Sequence, residues 1–224
     1  MDDRRPPRDS QRARVYRAEL PLPSSPLPGL TACATFADRV VGTLWWQSRF
    51  PEHSLDHVPR LRPGNGARQA FFRKDDDGPT ITLPRRYRTK GIVLHELIHW
   101  VLDEQRDLPP HGRTFTRVLL DANEEFCGHE RADALADSYR EQRVKVGRAA
   151  RTGPDGRLRY GWDERLRLGR GRVLTLRWRD ESGECREMTG AIDGFERGTT
   201  VRVLADGQVV RVPTTTMWDV TGPG

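Results

Sequence analysis

The sequence predicts an α+β protein in two parts: a mixed domain over residues 1–147 and a small all-β module over 164–224, joined by a basic linker at 148–163. Three observations predict it. Apolar residues recur at helical spacing in four stretches between residues 35 and 144, and short β-branched runs interrupt them between 57 and 83. Beyond Leu166 the helical period gives way to short strands separated by glycine turns.

Taken in order, residues 1–30 form an N-terminal arm. Asp9–Glu19 can be a short helix or a docking segment, and Leu20–Leu30, with four prolines, is expected to be a loop. Thr35–Phe50 is expected to be one helix, because Phe36, Val40, Val41, Leu44 and Trp45 keep helical spacing until Pro51. Strands are expected at His57–Leu61, Arg68–Arg73 and Thr80–Leu83, with turns at Pro63-Gly64-Asn65-Gly66 and Asp75–Pro79. A helix over Thr89–Leu102 is apolar around much of its circumference, so it belongs in a core. Helices over Arg113–Phe126 and Glu130–Val144 follow. Arg148–Gly161 is rich in Gly and Arg and reads as linker. The runs Val173–Trp178, Glu187–Ile192, Thr200–Leu204, Val209–Val212 and Met217–Val220 then suggest a small SH3-like barrel.

Composition narrows the classes. A chain of 224 residues can bury one core and a small appended module. No apolar run is long enough to span a membrane, and the charged N-terminus lacks the apolar stretch of a signal peptide. The expected location is cytoplasmic. Three cysteines, Cys33, Cys127 and Cys185, lie far apart and make neither a zinc knuckle nor a disulfide framework. The net charge is +6, yet all but three of the 38 basic residues are arginine, a skew that GC-rich coding alone produces. One local excess stands out. From Arg143 to Arg172 ten basic residues face Asp155, Asp163 and Glu164, so residues 143–172 could contact nucleic acid or be a solvated linker.

The chemistry concentrates in His95-Glu96-Leu97-Ile98-His99. Residues i and i+4 share one side of a helix, so two imidazoles can grip one Zn²⁺ while Glu96 handles the proton of a water molecule. Polar groups inside an apolar helix must be satisfied, and metal coordination would satisfy these. His111, ahead of the next helix, is the candidate third ligand. Glu124 and Glu125 on that helix are the carboxylate alternatives, and Asp103 could orient a ligand imidazole. His53, His57 and His129 have no ligand spacing and read as surface or structural residues. Trp45-Trp46 and Phe71-Phe72 read as core, with one ring of each pair free to face outward. Tyr87 with Arg85, Arg86, Arg88 and Lys90 could line a cleft ahead of the motif helix. The expected function is zinc-dependent hydrolysis of a protein or peptide substrate, with Glu96 as general base and acid. The competing class is a non-catalytic binding protein stabilised by zinc.

His95–His99 together with His111-Gly112-Arg113-Thr114-Phe115 resembles the zincin metallopeptidases, and among them the SprT-like branch with its HGxxF element. Arg8–Glu19 also resembles the opening of a family of metallohydrolases from actinobacteria and their phages. The resemblance covers residues 8–145. It implies a zincin-like, minimal metalloprotease domain that uses Zn²⁺, and it implies no particular substrate. SprT-like proteins often carry a C-terminal zinc ribbon and are linked to DNA-bound protein substrates. Here no cysteine pairs exist and a predicted β module stands in that place, a departure that counts against the DNA-linked role.

Overall fold

The computed structural model describes residues 9–66 and 68–222; the first eight residues of the arm lie outside them. The chain divides into two compact units, Met1–Val146 and Gly147–Gly224.

The first unit opens with helix α1 (Arg12–Glu19), followed by α2 (Leu30–Val41) and α3 (Leu44–Arg49). The single helix expected over 35–50 is therefore two. Apolar spacing runs through the break, but Thr43 is extended and its Oγ1 accepts a hydrogen bond from the Trp46 N–H at 3.2 Å, starting a new helix. Strands β1 (Arg60–Pro63), β2 (Phe71–Asp75) and β3 (Gly78–Leu83) form a sheet in the order β1-β3-β2. β1 runs parallel to β3 and β2 antiparallel to it, so β2 is an outer strand. The expected β1 began too early, since Leu55–His57 is a 3₁₀ turn.

Helix α4 (Lys90–Leu102) carries the motif. Thr89 caps it, its Oγ1 accepting from the Ile92 N–H at 3.4 Å. Nine of its residues are buried, consistent with apolar side chains around most of its girth. It packs against α2, β2 and α5 (Arg113–Cys127). Gly128, at φ 91°, takes a backbone conformation that other residues rarely adopt and turns the chain into α6 (His129–Glu141). That helix stops three residues short of Val144 because the Val144 N–H bonds back to Tyr139 O at 2.8 Å. α1 lies along α6, with Val15 and Ala18 fully buried.

The residues expected to be linker belong to the second unit. They form a hairpin of β4 (Arg151–Thr152) and β5 (Leu158–Arg159) and the start of α7 (Trp162–Leu168). The Gly- and Arg-rich composition concealed Trp162, whose fully buried ring is part of this unit's core. Strands β6 (Val173–Arg179), β7 (Cys185–Glu196), β8 (Thr200–Ala205), β9 (Gln208–Pro213) and β10 (Met217–Thr221) lie where strands were expected. All neighbours are antiparallel, in the order β10-β6-β7-β8-β9. Among the described residues β9 and β10 do not pair. The expected barrel is thus an open five-stranded sheet, one face of which packs on Trp162 and Leu166 of α7.

All three cysteines are free, Cys33 buried and Cys185 exposed. Among the described residues no helix is long and apolar enough to cross a membrane.

Candidate metal centre

One turn of α4 separates His95 and His99, and the turn leading into α5 brings His111 to them. That turn is held by the Gly112 N–H on Pro109 O at 2.8 Å and by the Gln11 side chain, whose Nε2 donates to His111 O at 2.7 Å. The three Nε2 atoms lie 3.1 Å (His95–His99), 3.1 Å (His99–His111) and 3.4 Å (His95–His111) apart. A tetrahedral ion with metal–nitrogen bonds of 2.0–2.1 Å sets its ligand nitrogens about 3.3 Å apart. The triad therefore has the size of one face of such a tetrahedron. Among the described residues no fourth His, Cys, Asp or Glu joins it.

Two carboxylates set the tautomers. Glu19 Oε2 accepts from His95 Nδ1 at 2.7 Å, and Asp9 Oδ2 accepts from His111 Nδ1 at 2.7 Å. With Nδ1 protonated, the Nε2 atoms of His95 and His111 each turn an unshared pair toward the common centre, an arrangement that a cation there would satisfy. Burial and the two neighbouring imidazoles hold the pKa of His99 well below its usual value, so it is neutral and ready to ligate. Burial also lowers that of His111, with Asp9 pulling the other way. At His95 burial pulls the pKa down, but the adjacent Glu19 carboxylate more than offsets it and the net shift is upward. The donor set and spacing fit a divalent metal ion.

Aromatic rings wall the triad. Phe115 of α5 lies 4.9, 4.6 and 5.0 Å from the rings of His95, His99 and His111. Tyr16 of α1 covers His95 and His111 at 5.3 and 5.2 Å. His99 and His111 open onto a cleft of about 550 Å³ that Glu96, Tyr16, Phe71 and Phe72 also line. Glu96 is 2 % exposed; it accepts the Phe72 N–H, and its Oε2 has no partner. Burial pushes its carboxyl up to about 7, against the pull of His95 and of that N–H. A buried carboxyl poised near neutrality suits proton transfer.

The structure thus brings together His95, Glu96, His99 and His111. Glu124 and Glu125 are exposed on α5, Glu124 pairing with His129 at 3.2 Å, so neither is a ligand. Asp103 lines the cleft, whereas the carboxylates bonded to ligand imidazoles are Glu19 and Asp9. Tyr87 and its neighbouring basic residues do not line the cleft. His53 is buried with its ring edge-on to Trp100 at 4.9 Å. Of the aromatic pairs, Trp46 is buried and Trp45 half-buried, while both Phe71 and Phe72 border the cleft.

Sequence reasoning missed Asp9, Arg12, Tyr16 and Glu19. A signal for them existed: they recur every three or four residues, a polar stripe along one side of α1 and the residues just before it. The chain matches no protein-family model, no curated protein and no solved structure.

Proposed function

We propose that the chain is a zinc-dependent metallohydrolase that cleaves peptide bonds, with a zincin-like first unit. The observation that carries this reading is the three-nitrogen face beside a buried carboxyl on an open cleft. Structural zinc sites are closed by four protein ligands, whereas catalytic ones use three and leave a position free. His95, His99 and His111 would hold the ion; when bound, zinc supplies Lewis acidity and lowers the pKa of a water toward about 7.

The protein's own groups do the rest. Glu96 takes a proton from the attacking water and delivers it to the leaving amine nitrogen. A C–O bond forms and the C–N bond breaks, giving acid and amine. The outer strand β2 borders the cleft through Phe71 and Phe72, so an extended peptide can lie alongside it.

The test is Glu96→Gln in full-length protein. It should retain about one zinc equivalent and lose peptide hydrolysis by at least about 10²-fold, whereas His111→Ala should lose the metal. Hydrolysis untouched by Glu96→Gln removes the assignment.

A second reading, a binding role toward nucleic acid, is favoured by the exposed Arg148, Arg157, Arg167, Arg170 and Arg172 within the basic segment 143–172. Phosphate contacts there predict oligonucleotide affinity that falls steeply with salt; binding insensitive to salt sinks it.

A further inference from the structure

Hydrolysis needs more than a base. As water adds to a carbonyl, negative charge gathers on the carbonyl oxygen, and a fixed hydrogen-bond donor there stabilises the transition state more than the ground state. The side-chain donors along the cleft belong to Arg12, Tyr16, Gln69, Gln105, Arg106 and Thr114. Of these, Tyr16 lies directly against two of the ligand imidazoles, its ring centre 5.3 Å from that of His95 and 5.2 Å from that of His111. It lies 28° from parallel with His95, and it meets His111 at 54°.

The phenol is held from behind as well. The Arg12 guanidinium, one turn earlier in α1, lies 5.6 Å from the ring centre and hydrogen-bonds the Tyr16 side chain. α1 itself is tied down at both ends. Gln11 bonds to His111 O and Lys145 O, and the Ser138 hydroxyl donates to Ala18 O at 2.9 Å. Tyr16 is half-buried, with its remaining surface in the same cleft as Glu96. A preorganised donor of this kind costs no reorganisation when charge develops.

We infer that Tyr16 is a further catalytic residue, its O–H donating to the substrate carbonyl oxygen as that oxygen becomes negative, with Arg12 as the residue that positions it. This rests on the metallohydrolase reading. The phenol proton stays on Tyr16 throughout; the bonds that form and break are the C–O and C–N bonds already assigned.

Tyr16→Phe tests this, because it keeps the ring against both imidazoles and removes only the hydroxyl. In full-length, zinc-loaded protein, a quenched fluorescent peptide mixture should show kcat lowered about 10²-fold, with KM and zinc content unchanged. Arg12→Gln should lower kcat less, and Arg12→Lys should restore most of the loss. A second readout needs no turnover. A phosphonamidate dipeptide, whose tetrahedral anion imitates the oxyanion, is titrated into cobalt-substituted protein and followed by the visible spectrum. Tyr16→Phe should weaken that binding at least about tenfold, while leaving the affinity for an uncleavable amide dipeptide unchanged. An unchanged kcat, or equal phosphonamidate affinity in the two proteins, overturns the inference. Loss of metal in Tyr16→Phe also overturns it, because the phenol would then be a ligand. If the wild type cleaves no peptide, the metallohydrolase reading fails by itself. The phosphonamidate arm then still decides the donor role of Tyr16, and no binding to the wild type counts against it.

Discussion

Glu19 and His95 are 76 positions apart in sequence and 2.7 Å apart in space, Oε2 against Nδ1, with both side chains almost wholly buried. The second oxygen of the same carboxylate accepts from the Tyr139 hydroxyl at 3.0 Å. One residue of α1 therefore joins the motif helix to α6, and it fixes which nitrogen of His95 faces the metal position.

Replacing the charge without changing the shape isolates that role. Glu19→Gln should weaken zinc binding by about 10- to 100-fold in competition with a chromophoric chelator. Glu19→Ala should do the same and also strand the Tyr139 hydroxyl, costing about 1–3 kcal/mol in urea unfolding. Full zinc affinity in Glu19→Gln would argue that the contact only braces the fold.

Metal removal should destabilise the first unit. The Nε2 atoms of His95 and His111, 3.4 Å apart and each with its Nδ1 held by a carboxylate, lose their shared partner once no cation lies between them. An ion that binds only the folded state adds about 2.7 kcal/mol when present at 100 times its Kd. Unfolding with and without a chelator measures this, and coincident curves would contradict a bound ion.

Alkaline pH provides a separate check on burial. Burial pushes the Tyr16 phenol up to about 12 and the Tyr139 phenol well above 10. In the unfolded chain both ionise near 10. The folded state therefore holds protons that the unfolded state releases, and the resulting stability is complete below about pH 10 and lost as pH rises toward 12. Absorbance of phenolate should show these two tyrosines silent at pH 10 and titrating only with unfolding. Ionisation of all four tyrosines near pH 10 in folded protein would refute it.

In the second unit, Gly190 marks a close approach between β7 and β8. A Cβ there would lie 2.6 Å from Val203 Cγ1 and 2.7 Å from Leu204 O, and the backbone oxygen cannot yield cheaply. Gly190→Ala should cost about 1–3 kcal/mol of stability while zinc content stays the same. A melting curve identical to wild type would show that the strands can spread.

What the sequence disclosed, and what it withheld, follows from range. The placement of His95 and His99 was legible because four residues make one helical turn, and the five strands of the second unit were legible from local β-branched runs. The break at Thr43 was hidden because Phe36, Val40, Leu44 and Trp45 keep a helical period straight through it. Open rather than closed pairing of the second sheet depends on where β9 and β10 end up, which no local pattern encodes. Asp9 and Glu19 reach partners 102 and 76 positions away, so only the spacing of their polar stripe could have pointed to them.

Gln11 has a consequence for biosynthesis. Its side chain bonds to the backbone of His111, 100 positions downstream, and to both backbone groups of Lys145, 134 positions downstream. A ribosome adding about 5–20 residues per second needs roughly 7 to 27 seconds to cover that second interval. All three imidazoles are therefore synthesised before Lys145 arrives to complete the clasp.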